Sequence, residues 1–216
     1  MRLSPKWASL LVVLLLGSVA SAQPAGVHYR IDVEKSDIHW LVYKAGVFAR
    51  FGHNHVISVA KLTGDVYVAP KPSESHFEME IPVTSLVVDN PALRAKEGKD
   101  FERQPTQKDI DGTRHNMLSE KVLNAAQYPT LKITGTGPTG APGSEKLHLR
   151  IDILGKSVQF TVPTEVRMNG DTLEASGEFE LTHETLGMKP FSIMGGGLRV
   201  AEKMKFAYRV TAQRVE

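Results

Sequence analysis

The stretch LEASGEFEL, Leu173–Leu181, alternates without a break. Leu173, Ala175, Gly177, Phe179 and Leu181 fall on one side, and Glu174, Ser176, Glu178 and Glu180 on the other. Successive side chains of a strand point to opposite faces, so this is a strand with one dry and one wet face. FEMEIPV (Phe77–Val83), LHLRIDI (Leu147–Ile153) and MKFAYRV (Met204–Val210) repeat the pattern. YRIDV (29–33), DIHWLVY (37–43) and VQFTV (158–162) follow it less strictly, and KLTGDVYV (61–68) and LKIT (131–134) complete the set. A sheet wetted on one face is antiparallel. Eight or nine such strands in one domain point to a closed barrel or a sandwich.

The punctuation fits this reading. Asn169-Gly170 between two alternating runs is a hairpin signal. TGTGPTGAPGSE (134–145) reads as a Gly/Pro loop, and Gly195-Gly196-Gly197 as a sharp turn before the chain re-enters the sheet. Alternation is lost only over residues 90–129. There Asn90-Pro91 opens a helical turn at Ala92–Lys96, and Thr106 with Asp109 reads as a capping box. Ile110, Met117, Leu118, Val122 and Leu123 form an apolar stripe, which Tyr128-Pro129 stops. The expectation is a helical insertion between the fourth and fifth strands, placed to cover one open end of a barrel.

At the N-terminus, Arg2 and Lys6 precede the short apolar run ASLLVVLLLGSVA, and Ala20-Ser21-Ala22 offers an A-x-A cleavage site. This pattern predicts a secretory leader over residues 1–22 and a single domain over 23–216. The apolar run is short for a membrane span, and no other run approaches that length, so no transmembrane anchor is expected in the mature chain. Without Arg2 and Lys6 the remaining Lys/Arg and Asp/Glu balance, so charge gives no support to nucleic-acid binding. There is no cysteine, hence neither disulfide nor thiol chemistry.

Several segments in order carry a resemblance. They are Tyr29-Arg30-Ile31-Asp32, then Ser36, Ile38 and Trp40, then Arg114 and Leu118 in the helical stretch. After these come Tyr128–Thr134, the run from Leu149 and Ile151 to Leu154-Gly155, and FELTHETLG from Phe179 to Gly187. In this order they resemble the YceI-like family of periplasmic lipid- and polyisoprenoid-binding proteins. The resemblance implies a mainly β fold, an eight-stranded antiparallel lipocalin-like barrel whose apolar bore holds an isoprenoid chain. It implies the periplasm or secretion, and binding without catalysis. The bore lining would come from Trp40, Val42, Phe77, Met79, Ile81, Leu149, Ile151, Phe160, Val162, Phe179, Leu181, Phe206 and Tyr208. Alternation alone leaves open whether these side chains fill the interior or line a space, and packed interiors are the rule. An isoprenoid-like or quinone-like lipid is the implied ligand, its polar head at the mouth near the helical insertion. A quinone would also imply a membrane electron-transport partner.

One segment departs from the family pattern. RFGHNHVISV (50–59) sets His53 and His55 two apart, and His183 stands where members commonly carry a basic residue. Two or three neutral imidazoles suit zinc or copper. The alternative function is therefore a metal-binding protein, or a metal-dependent hydrolase, using His53, His55 and His183 with Glu184 and Asp65 nearby. Gly52-His53-Asn54-His55 is also rich in turn formers, which makes a solvated polar loop the competing interpretation.

Overall fold

The computed structural model describes residues 26–216. Its strands are β1 (Val27–Ala45), β2 (His55–Val59), β3 (Thr63–Val68), β4 (His76–Pro82), β5 (Leu86–Val88) and β6 (Thr130–Thr139). They continue with β7 (Lys146–Ile153), β8 (Lys156–Pro163), β9 (Glu165–Asn169), β10 (Thr172–Thr182), β11 (Ser192–Ile193) and β12 (Leu198–Arg214). Helices α1 (Pro91–Arg94) and α2 (Gln107–Leu118) lie between β5 and β6. Every ladder is antiparallel.

One sheet runs β8-β7-β6-β4-β3-β1-β12-β10-β9. Its two end strands are chain neighbours, joined through Thr164 alone, so the sheet curls until its ends meet. Gly177 on β10 makes the meeting close enough: a Cβ there would stand 2.4 Å from the Pro163 carbonyl oxygen. The Tyr208 hydroxyl donates to that same oxygen at 2.9 Å.

Three walls of the curled sheet are bent strands. Val27–Arg30 pair with β3, while His39–Val42 pair with β2. The chain from β2 to β3 thus forms one wall with a slip at Ala60–Leu62. The run from β4 to β5 beside it does the same, as does the run from β8 to β9. Such bulges bend a strand and increase its twist.

The first two expected strands, 29–33 and 37–43, are one strand of 19 residues, β1. The residues between them, Glu34-Lys35-Ser36, form a bulge between Asp32 and Asp37 and do not end the strand. The Asp32 carboxylate accepts from the Glu34 and Lys35 amides, and Ser36 Oγ accepts from the Thr211 amide at 3.0 Å. With those backbone groups satisfied the strand continues. The insertion follows FEMEIPV and precedes LKIT, but it falls between β5 and β6 and not between the fourth and fifth strands: merging the first two strands removes one, while β2 and β5 add two. The curled sheet runs through nine strands where eight were expected. The 134–145 segment is strand as far as Thr139. The 168–171 hairpin forms with Gly170 and Asp171 as its loop residues, Gly170 at φ 60°. The Thr106–Asp109 capping box is present. The leader expected over residues 1–22 lies outside the described residues. No helix among the described residues is long and apolar enough to cross a membrane.

Candidate functional site: an apolar bore with a polar mouth

The inward faces of the curled sheet do not meet. They enclose a cavity of about 920 Å³, near the upper end of the ~300–1,000 Å³ found for small-molecule pockets. Packed interiors leave few voids larger than a water molecule, so this interior is a bore and not a filled core. It runs from Pro72, Ser75 and Pro138 at one end to His53, Thr113 and Ile193 at the other.

Trp40, Val42, Phe77, Met79, Ile81, Leu149, Ile151, Phe160, Val162, Phe179, Leu181, Phe206 and Tyr208 all lie on the bore wall. Most are only partly buried although they point inward, because their outer atoms face the cavity. Register explains their grouping. Trp40 sits opposite Phe206, and Phe206 opposite Phe179. The rings stack at 5.8 and 5.2 Å between centroids, and Phe160 continues the band at 6.2 Å from Phe179. The sequence reading missed β2, whose Ile57 and Val59 also line the bore, and Met117 and Leu123 of the insertion. Period two over HVISV was the available signal, obscured by the turn-forming residues before it.

Helix α2 lies across one end of the bore. Arg114 holds it there, donating to the carbonyls of Leu86 and Thr84. Gly112, Thr113, Asn116 and Met117 of the helix face the cavity.

The polar groups of this mouth hang from a buried ion pair. Arg94 donates to Asp89 Oδ1 and to the Asn54 and Arg103 carbonyls, each at 2.7 Å. Asp89 also accepts from the Val56 amide at 2.9 Å, and its Oδ2 lies 2.7 Å from His55 Nδ1. Burial raises the Asp89 carboxyl, but His55, the Val56 amide and Arg94 outweigh it and hold it below the ordinary value. The ionised carboxylate fixes Nδ1–H as the donor. Nε2 is left facing the bore, 3.2 Å from Thr113 Oγ1. Nearby His53 is lowered, chiefly by burial.

The histidines do not assemble as a metal site. His53 and His55 have ring centroids 6.1 Å apart. Both His55 nitrogens are engaged, and His183 Nδ1 lies 3.0 Å from the Glu202 carbonyl. Asp65 bonds to His28 and Arg30 on the outer face, away from the mouth. No group of three or more His, Cys, Asp or Glu among the described residues is gathered as a ligand set. This corrects the three-histidine expectation: His55 is a strand residue held by a carboxylate 34 positions away.

A curled antiparallel sheet around an apolar bore, crossed by a helix carrying Arg114 and Leu118, is the architecture that the ordered segments anticipate. The model of the YceI-like domain matches residues 29–212. The chain belongs to the YceI-like family. Among solved structures it is similar to BcnA from Burkholderia cenocepacia, with a TM-score of 0.61 at 16% identity, covering 84% of this chain and 98% of that one. It is also similar to a polyisoprenoid-binding domain from Saccharophagus degradans implicated in plant cell wall breakdown. That TM-score is 0.57 at 11% identity, covering 88% and 99%. A YceI protein from Campylobacter jejuni gives a TM-score of 0.50 at 13% identity, covering 74% and 85%. At these identities the likeness is one of fold. No curated protein matches the chain.

Proposed function

We propose that this YceI-like protein is a non-enzymatic carrier that sequesters a single apolar, isoprenoid-like lipid in its bore, in the periplasm, after loss of a leader over residues 1–22. The observation that carries this reading is the open apolar cavity of about 920 Å³ where a barrel of this size could have packed its own side chains. Burial of apolar surface, at about 25 cal/mol per Å², supplies the binding free energy without polar contacts along the chain. The family and the Saccharophagus degradans neighbour support the isoprenoid class.

The head of the ligand is assigned to the mouth. His55 Nε2, Thr113 and Asn116 are polar groups there, joined on the lining by His53, His183 and Arg199, while the wall between the two ends is mostly aliphatic or aromatic. A quinone-like head presents carbonyls that the Asn116 side-chain amide can meet as donor, the Thr113 hydroxyl being committed to His55 Nε2. This favours a quinone-like lipid and a membrane electron-transport partner as the refinement of the carrier reading.

The test is solvent extraction of the purified protein followed by mass spectrometry, with reloading by a prenyl lipid. The expected result is one long-chain prenyl species at close to one per protein. Protein that carries no lipid and takes up none would overturn the proposal.

A further inference from the structure

Two connections flank the mouth beside helix α2: residues 46–54 between β1 and β2, and residues 183–197 between β10 and β12. They hold each other in place. The Phe48 amide donates to the Gly197 carbonyl at 2.8 Å, and Gly197 has no Cβ where one would stand 2.5 Å from the Phe48 ring. Met194, Gly195 and Gly196 all have positive φ, which turns the second connection sharply.

Their tips are apolar and uncovered. Val47 is 82% exposed, Phe51 61% and Met194 63%, with Phe48 and Ile193 beside them. Of the seven large apolar side chains exposed among the described residues, these are five, so the exposure is concentrated at one end of the bore. Contiguous patches of this kind mark interaction surfaces. The charge nearest the tips is basic: Lys44, Arg50, Lys189 and Arg199 lie in or next to the two connections. The carboxylates sit back from the tips, Glu184 and Glu202 at the root of the second connection and Asp109 of helix α2 beside His53. The Arg50 guanidinium sits 4.7 Å from the centre of the Phe51 ring.

We infer that these two connections dock the protein on an anionic lipid bilayer, the apolar tips entering the interface and the basic residues meeting the headgroups. An acidic protein surface would match the charges but not the five apolar side chains, whereas a layer of hydrocarbon under anionic headgroups matches both. A bilayer takes up protruding apolar tips in any rotation, and basic residues at its surface strengthen binding about fivefold each. The assignment rests on the patch and its charge. From the carrier reading it takes only the reason for the position: Ile193 belongs both to this surface and to the bore wall, so a docked molecule would present its mouth to the lipid phase.

The chain has no cysteine, so single labels are clean. An environment-sensitive fluorophore at Phe51→Cys is compared with one at Ser144→Cys, at the far end of the sheet, in the full chain. The probe is vesicles of phosphatidylcholine with about a third phosphatidylglycerol. The expected result is a blue shift at position 51 and none at 144, weakened at 1 M salt where screening is short-ranged. Val47→Ser, Phe51→Ser and Met194→Ser together should lower vesicle binding at least tenfold relative to the parent chain, and Arg50→Ser with Lys189→Ser about fivefold per charge. Equal shifts at both positions, or none at 51, would overturn the proposal. So would a shift without vesicles that grows with protein concentration, since a second copy would then cover the patch. Lipid recovered by extraction without docking would remove the docking surface and leave the carrier. Docking by a protein that never holds lipid would do the reverse.

Discussion

The bore and the ionic cluster beneath its mouth answer the same problem in opposite ways. Both lie inside the molecule. In the bore, apolar side chains point inward and are left without partners across about 920 Å³. Around Asp89 and Arg94, two charged groups are buried almost completely, and the chain supplies nearly every partner itself. The first region is completed by something from outside and the second is complete already. Substitutions should therefore be tolerated in the bore and punished in the cluster.

The sharpest break comes from Asp89→Asn. It leaves Arg94 buried without a counter-charge, which costs about 3–5 kcal/mol. Urea unfolding should show that loss, and Asp89→Leu with Arg94→Met should recover part of it. A loss under 1 kcal/mol would mean that water reaches the pair.

Phe179→Ala tests the other side of the comparison. A packed phenylalanine costs about 3–5 kcal/mol on truncation. Phe179 already faces the cavity, so its loss should cost less than half as much, read by the same unfolding. A full-sized loss would mean that the bore is a core. Conversely, Val42→Trp with Leu181→Trp should fill the bore and cut prenyl-lipid uptake at least tenfold, with little change in melting temperature.

Acid separates the regions again. Asp89 is held below its ordinary value of 3.8 in the folded chain. Its contribution is fully present above that value and is lost as pH falls through the lower, folded one. Acid unfolding below about pH 4 should be steep in the parent chain and flatter in the Asp89→Leu, Arg94→Met variant. The smallest effect belongs to His53, which is lowered from 6.5. Stability should decline slightly as pH falls below 6.5, and His53→Gln should remove that slope in a thermal-shift series.

The bore wall was legible because it depends on period two, a property of each strand separately. Trp40, Phe206 and Phe179 announce their face without any knowledge of their neighbours. The capping box at Thr106 is local in the same sense. The cluster was not legible. Asp89 meets Val56 33 residues away, His55 34 away and Arg94 five away, and no spacing rule links the three. Hence His55 read as a loop ligand for a metal when its partner is a carboxylate. β2 was hidden for a related reason: it forms only because β1 outruns β3 and β5 arrives on its other side.

The pairing of β1 with β12 has a consequence in time. Tyr29 stands opposite Arg214, and the two strands pair along most of their length, so the first strand made waits for the last. Contacts between distant parts of a chain form slowly. Until synthesis reaches Arg214, β1 and β10 both lack the neighbour that joins them, and the sheet has no ring to close. A chain cut short before β12 would therefore expose the apolar faces of its strands with no bore to turn them toward.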